Sequence, residues 1–145
     1  GKFLAETLQV LNEWARSEAK FKKECAGTPG FMNSHGPKGS SRENALTMGQ
    51  YTSCNRNWHK QLCKAFSHCL DSEEGTEVHN ALTILSELVG TAFPMHDTFH
   101  GEVRQRVAKL TTDSNHSFGN SITVMARSIN ARLQQCEDSM VKLNV

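Results

Sequence analysis

The sequence predicts an all-α protein with about five antiparallel helices, arranged as a bundle or as a HEAT-like stack of helical hairpins. Apolar side chains recur at three- and four-residue steps through most of the 145 residues, which is the spacing of one buried helix face. The alternation of apolar and polar residues that is typical of a half-buried strand does not occur. Short links between successive apolar segments favour antiparallel neighbours.

Five amphipathic segments account for the predicted helices. They cover about residues 2–26, 51–69, 78–93, 99–110 and 122–143. The second segment carries the clearest apolar stripe. The third has Ser72 as a candidate N-cap and Pro94 as its end, and the fifth follows a cap signal at Asp113 and Ser114.

The apolar stripes of three of these helices predict one shared core. Its members are Trp58, Leu62, Phe66, Leu82, Leu85, Val89, Ile122 and Ile129. Trp58→Ala is expected to cost about 3 to 5 kcal/mol, as large-to-small changes in a core do.

Residues 1–145 are predicted to form a single helical domain that is a fragment of a longer chain. A Gly-, Pro- and Ser-containing loop is expected at residues 27–47. A link of that length is uncommon inside a compact domain, and we expect its middle, around Lys38, to be the most mobile part of the protein.

The stretch KFKKECAGTPGF, residues 20–31, predicts how the first helix ends. Cys25 closes the apolar stripe, Gly27 can take the left-handed conformation that stops a helix, and Pro29 and Gly30 set the exit. We expect Phe31 to fold back onto the core. The alternative is an exposed Phe31 that anchors a partner.

The charges form two local rows, although the formal net charge is only +1 and favours neither nucleic acid nor membrane globally. The rows are Arg56, Lys60 and Lys64 on the second helix, and Arg16, Lys20 and Lys23 on the first. One interpretation is a solvated face with ordinary ion pairs between neighbouring turns. The other is a ridge that binds RNA phosphates or an acidic protein.

No catalytic, cofactor or metal site is predicted. The sequence lacks the nucleotide-binding and zinc-protease motifs, and the Cys and His residues of the second helix do not converge on one face. The five cysteines are an odd number within helical patterns, which favours reduced thiols in the cytosol or nucleus over a disulfide scaffold. No apolar run approaches the length of a membrane span, so no membrane partner is expected.

Short motifs in a fixed order resemble one known family. They are Lys23-Glu24-Cys25, Pro29-Gly30-Phe31, Trp58-His59, His68-Cys69-Leu70, His79-Asn80 and Phe93-Pro94. In this order they resemble the C-terminal helical region of the largest subunit of the THO complex. Asn57 and His79 stand where that family usually has basic residues.

The resemblance implies a nuclear scaffold segment without a catalytic site of its own. Such a segment would assemble with other THO subunits, recruit a DEAD-box RNA helicase, and help couple transcription to messenger RNA packaging and export. Either row of cations could then face RNA or the helicase. The alternative is a free-standing adaptor or cytokine-like bundle, with a metal-dependent enzyme as a lesser possibility; counting free thiols would separate a secreted bundle from a nuclear scaffold.

Overall fold

The computed structural model describes residues 1–26, 28, 31–32, 45–112 and 117–143. Within these residues the protein is all α, as predicted. It has no strand there, and the two β-bridges that occur are isolated. The helices are α1 Lys2–Arg16, α2 Glu18–Lys20, α3 Met48–Leu70, α4 Gly75–Leu88, α5 Asp97–Lys109 and α6 Asn120–Cys136. The HEAT-like and antiparallel arrangement stays a prediction.

The prediction of one first helix over residues 2–26 is wrong. Ser17 has extended backbone angles, φ −133° and ψ 106°, and its side chain accepts a hydrogen bond from the Lys20 amide. Serine competes with the helix in this way because its hydroxyl offers the backbone an alternative partner. A single turn, α2, then leads into a π-helical turn at Phe21–Cys25.

The ends of the other helices differ from the predicted ends for local reasons. Helix α3 begins with a capping box. Thr47 Oγ1 accepts a hydrogen bond from the Gln50 amide, and Gln50 Oε1 accepts one from the Thr47 amide. Helix α4 begins at Gly75 after Glu74, so the Ser72 N-cap prediction is wrong; Ser72 instead accepts from the Glu74 amide.

The predicted ends of the third and fifth helices are also too late. Helix α4 ends at Leu88 and not at Pro94, and the turn that follows contains Gly90 with φ 86°, where glycine is favoured. Helix α6 ends at Cys136, and Val141 pairs instead as a short parallel bridge with His96. The cap signal at residues 113–114 lies outside the described residues.

The chain divides into two compact units, so the single-domain assignment stays a prediction. Unit 1 comprises Gly1–Leu8 and His59–Val145, and unit 2 comprises Gln9–Trp58. Helices α1 and α3 each contribute to both. Most of the 27–47 loop, including Lys38, lies outside the described residues.

Unit 1 contains the larger apolar core. Its buried members are Leu8, Cys63, Phe66, Leu70, Val78, Ala81, Leu82, Leu85, Leu88, Val89, Ala92, Phe93, Phe99, Val103, Val107, Leu110, Ile122, Ala126, Ile129 and Leu133. Six of the eight predicted core residues are among them, and Leu62 packs against them half-buried.

Unit 2 has a smaller, aromatic cluster in which Phe21, Cys25 and Tyr51 are buried. The placement of Trp58 in the main core is wrong, because Trp58 belongs to this unit and is 36% exposed. One side of its indole contacts the Tyr51 ring, with centroids 6.1 Å apart. The expected cost of about 3 to 5 kcal/mol for Trp58→Ala applies to a fully buried side chain, so it does not follow for this partly exposed one.

Candidate interaction surfaces

Helix α3 carries one row of predicted site residues on its exposed side. Arg56, Lys60 and Lys64 are exposed and follow one another at four-residue steps, so they share one face. The helix contains no Asp or Glu. No ion pair within the described part of the chain involves these three cations, which leaves their charge available to solvent or to a partner.

The buried side of α3 is not the side that its apolar residues predict. The buried residues are Tyr51, Asn55, His59, Cys63, Phe66 and Leu70. At about 100° per residue, their centre lies about 75° round the helix from the centre of the predicted apolar stripe. Leu62 and Ala65 therefore lie at the edge of the buried face or on the surface.

The second predicted row, Arg16, Lys20 and Lys23, is interrupted by the break at Ser17. All three are exposed, but they lie in α1, α2 and the π-helical turn respectively, so helical spacing does not align them. Lys20 donates to Glu13 at 2.8 Å, and this hydrogen bond raises the pKa of Lys20. Ion pairs as exposed as this one contribute little to stability.

The structure describes only part of the predicted helix terminator, which therefore stays a prediction. Cys25 is fully buried, and its carbonyl accepts hydrogen bonds from the amide of Thr28 and, at 2.6 Å, from its hydroxyl. Phe31 docks against the aromatic cluster of unit 2, with its ring centroid 5.6 Å from that of Trp14. It does not reach the main core. Pro29, with residues 27 and 30, lies outside the described residues.

Two of the short motifs meet inside unit 1 and serve packing. His59, from Trp58-His59, is fully buried and stacks on Phe93, from Phe93-Pro94, with centroids 5.7 Å apart. The ring of His96 contacts His59 edge-on at 5.3 Å. By contrast His79 and Asn80 are exposed on α4. The motifs thus mark a core contact and a surface, not one site.

An apolar groove in unit 1 was not predicted. It has a volume of about 350 Å³ and is lined by Leu4, Leu62, Ala65, Phe66, Cys69, Glu77, Asn80, Ala81 and Ile84. Seven of these nine are apolar, and Ile84 is 36% exposed. The available sequence signal was the breadth of the α3 stripe, which holds more apolar residues than one helix face can bury.

The chemistry of the buried cysteine in α3 is structural. Cys63 Sγ donates to Glu102 Oε2 at 3.4 Å, and burial, together with this carboxylate, raises the thiol pKa to about 11. A thiol nucleophile needs the opposite shift, since only the thiolate reacts.

Among the described residues no group of three or more His, Cys, Asp or Glu side chains could hold a metal ion.

None of the described helices is both long enough and apolar enough to cross a membrane. All five cysteines are described and are free thiols. Two of them, Cys25 and Cys63, are buried.

Comparison with known proteins identifies the family. A family model described as transcription factor/nuclear export subunit protein 2 matches residues 1–133. THO complex subunit 2 of Arabidopsis thaliana is 28% identical over 132 residues, 91% of this chain and 7% of that protein. Its human counterpart is 30% identical over 92 residues, 61% of this chain and 6% of that protein.

The chain thus spans only a small part of the curated relatives that it matches. No solved structure matches it. Because the family model covers nearly the whole chain and agrees with the ordered motifs, the chain belongs to the family of THO complex subunit 2.

Proposed function

We propose that this chain is a non-catalytic scaffold segment of the nuclear THO/TREX assembly, which couples transcription to messenger RNA packaging and export. The observation that carries the proposal is the family match over residues 1–133. The name of the family model refers to transcription and nuclear export, and the relatives are named as subunits of the THO complex. The other THO subunits are therefore the first partners to test.

The state of the cysteines favours this proposal over a secreted, cytokine-like bundle. Small secreted domains commonly pair their cysteines to compensate for a modest core. Here all five thiols are free, and 20 residues form a continuous core in unit 1. A reduced nuclear environment fits both facts.

Within this function, the cationic face of α3 is the proposed contact for RNA phosphates. Arg56, Lys60 and Lys64 are exposed on a helix without a carboxylate, so their field is not cancelled locally. Each phosphate that a protein cation neutralises releases counterions and makes binding depend on salt. Arg16, Lys20 and Lys23 are a weaker candidate, because Glu13 already pairs with Lys20.

The test replaces Arg56, Lys60 and Lys64 together by Glu and measures binding to a single-stranded RNA at several salt concentrations. We expect lower affinity and a salt slope that flattens by about 0.7 for each lost phosphate contact. The matched control changes Lys2, Lys109 and Lys142, which are exposed elsewhere, to Glu. If both triple variants lose the same RNA affinity, the loss is due to net charge, and a specific RNA-binding face on α3 is refuted.

The same pair of variants separates RNA from a protein partner. If binding to a DEAD-box RNA helicase falls while the RNA salt slope is unchanged, the cationic face docks the helicase and RNA contact is refuted. The scaffold role is tested in the full-length protein by deleting the segment that corresponds to residues 1–133. Normal recovery of every other THO subunit with that deletion would contradict the role.

A further inference from the structure

The groove of unit 1 exists because α3 has more apolar surface than the unit buries. The buried face of α3 runs through His59 and Cys63, which displaces Leu62, Ala65 and Cys69 towards solvent. These three side chains line one wall of the groove, and Ile84 of α4 lies on the other. Apolar residues gathered in one concave place, and not scattered singly, mark a binding site.

Leu4 of α1 contributes to the same groove. It is half-buried, whereas Phe3 beside it is 83% exposed and therefore adds apolar surface in the same unit. The groove is open and shallow, and its volume of about 350 Å³ is near the lower limit for an enclosed ligand pocket. That shape suits a few side chains projecting from a partner helix, because a helix presents residues at i, i+3, i+4 and i+7 along one line.

The charge along the groove is one-sided. Glu77 is the charged lining residue, and α4 contains Glu77 and Glu87 but no Lys or Arg. Glu87 lies close to the start of α1, since a Cβ built on Gly1 would be 2.9 Å from its Cγ. Within the described part of the chain no ion pair neutralises either glutamate.

The cations of α3 do not cancel this acidic edge. By helical angle Lys64 lies about 160° round α3 from Leu62, on the far side from the groove. The α3 residues that flank the groove wall on its exposed side are Gln61 and His68. The groove therefore has an apolar floor, one carboxylate, Glu77, on its α4 side, and no carboxylate or lysine on its α3 side.

We propose that this groove binds an amphipathic helix of a partner protein that carries Lys or Arg along one edge of its apolar stripe. The apolar stripe covers Leu62 and Ile84, while the basic edge faces Glu77. Apolar contact supplies most of the affinity, and the charge complementarity fixes which way round the helix lies. This docking surface is separate from the cationic face of α3 and needs no RNA.

The experiment uses two synthetic helical peptides that share one leucine stripe. One peptide has lysine along one edge, and the other has glutamate at the same positions. Binding to the chain is measured by fluorescence anisotropy, and amide exchange then maps the contact. We expect the lysine peptide to bind about tenfold or more tightly than the glutamate peptide and to protect α3 and α4.

Two variants test the floor and the edge separately. Ile84→Glu should lower the affinity for the lysine peptide by about tenfold or more. Glu77→Lys should make the chain bind the glutamate peptide more tightly than the lysine peptide. The matched controls are Val124→Glu, which changes an apolar residue 54% exposed on α6, and Glu6→Lys, which reverses an exposed charge on α1. Both controls should bind as the parent does.

Three results would overturn the proposal. The first is no binding of the lysine peptide at concentrations up to about 1 mM, and the second is equal binding of both peptides by the parent. The third is a dimer of the chain that forms with rising concentration and disappears in Ile84→Glu, because the occupant would then be a second copy. Circular dichroism and thermal melting confirm that each variant is folded.

Discussion

The two units of this protein are stabilised in different ways. The apolar core of unit 1 contains 20 buried, mainly aliphatic residues, and no one of them dominates it. The aromatic cluster of unit 2 contains three buried residues, and Tyr51 is central to it because its ring contacts Trp14, Phe21, Phe31 and Trp58 at centroid distances of 5.1 to 6.3 Å.

Side-chain hydrogen bonds also contribute to the smaller unit. Tyr51 donates its hydroxyl to the Leu11 carbonyl at 2.7 Å, and Asn55 donates to Asn12 at 3.3 Å inside the same unit. A small unit cannot bury enough apolar area to depend on it alone. The comparison indicates that unit 1 depends on packed volume, whereas unit 2 depends on a few directional contacts.

The largest expected effect comes from removing packed volume in unit 1. Leu85 is fully buried on α4, so Leu85→Ala should lower the free energy of unfolding by about 3 to 5 kcal/mol through lost transfer energy and a cavity. Urea unfolding measures the loss, and Ile84→Ala on the same helix is the control, because Ile84 is 36% exposed. A loss below about 1 kcal/mol for Leu85→Ala would mean that unit 1 can collapse around the gap.

How far the fold can be predicted depends on which residues are buried. The apolar period predicted Leu82 and Leu85 of α4 and Ile122 and Ile129 of α6 as core residues, and all four are buried, because most of the buried residues in these helices are apolar. In α3 the same reasoning failed. Asn55 is buried through its bond to Asn12, and His59 through stacking on Phe93, and both partners are distant in sequence.

The candidate surfaces show the same limit. The cationic face of α3 follows from four-residue spacing and could be predicted, whereas the first basic row could not, because Ser17 ends α1 within it. The groove depends on how far α3 is rotated about its axis. That rotation buries Asn55 and His59, which the apolar period does not predict, so the groove required the structure.

A second test uses the burial of Cys63 in unit 1. A thiol has an ordinary pKa near 8.5, and burial beside Glu102 raises the pKa of Cys63 to about 11 in the folded protein. Between about pH 9 and pH 11 the unfolded chain releases this proton while the folded protein keeps it. The free energy of unfolding should therefore fall as pH rises through this window, by about 3 kcal/mol in total.

The measurement is urea unfolding of the parent and of Cys63→Ser at several pH values. Serine keeps a donor for Glu102 but does not ionise in this range. The difference in unfolding free energy between the two proteins should change with pH by the amount attributed to the thiol. Parallel pH profiles would contradict the shift and would show that water reaches Cys63.

The smallest effect tests the directional contact in unit 2. Tyr51→Phe keeps the ring and its four aromatic neighbours but removes the hydroxyl that donates to the Leu11 carbonyl at 2.7 Å. The free energy of unfolding should fall by about 1 kcal/mol, the usual net contribution of such a hydrogen bond. It should fall further if the carbonyl is left without any hydrogen-bond donor. Amide exchange within Gln9–Trp58 is the readout, and Tyr51→Leu, which also removes the ring, should cost more. Equal losses for both variants would assign the contribution of Tyr51 to its hydroxyl, and no loss in Tyr51→Phe would assign that contribution to the packing of its ring.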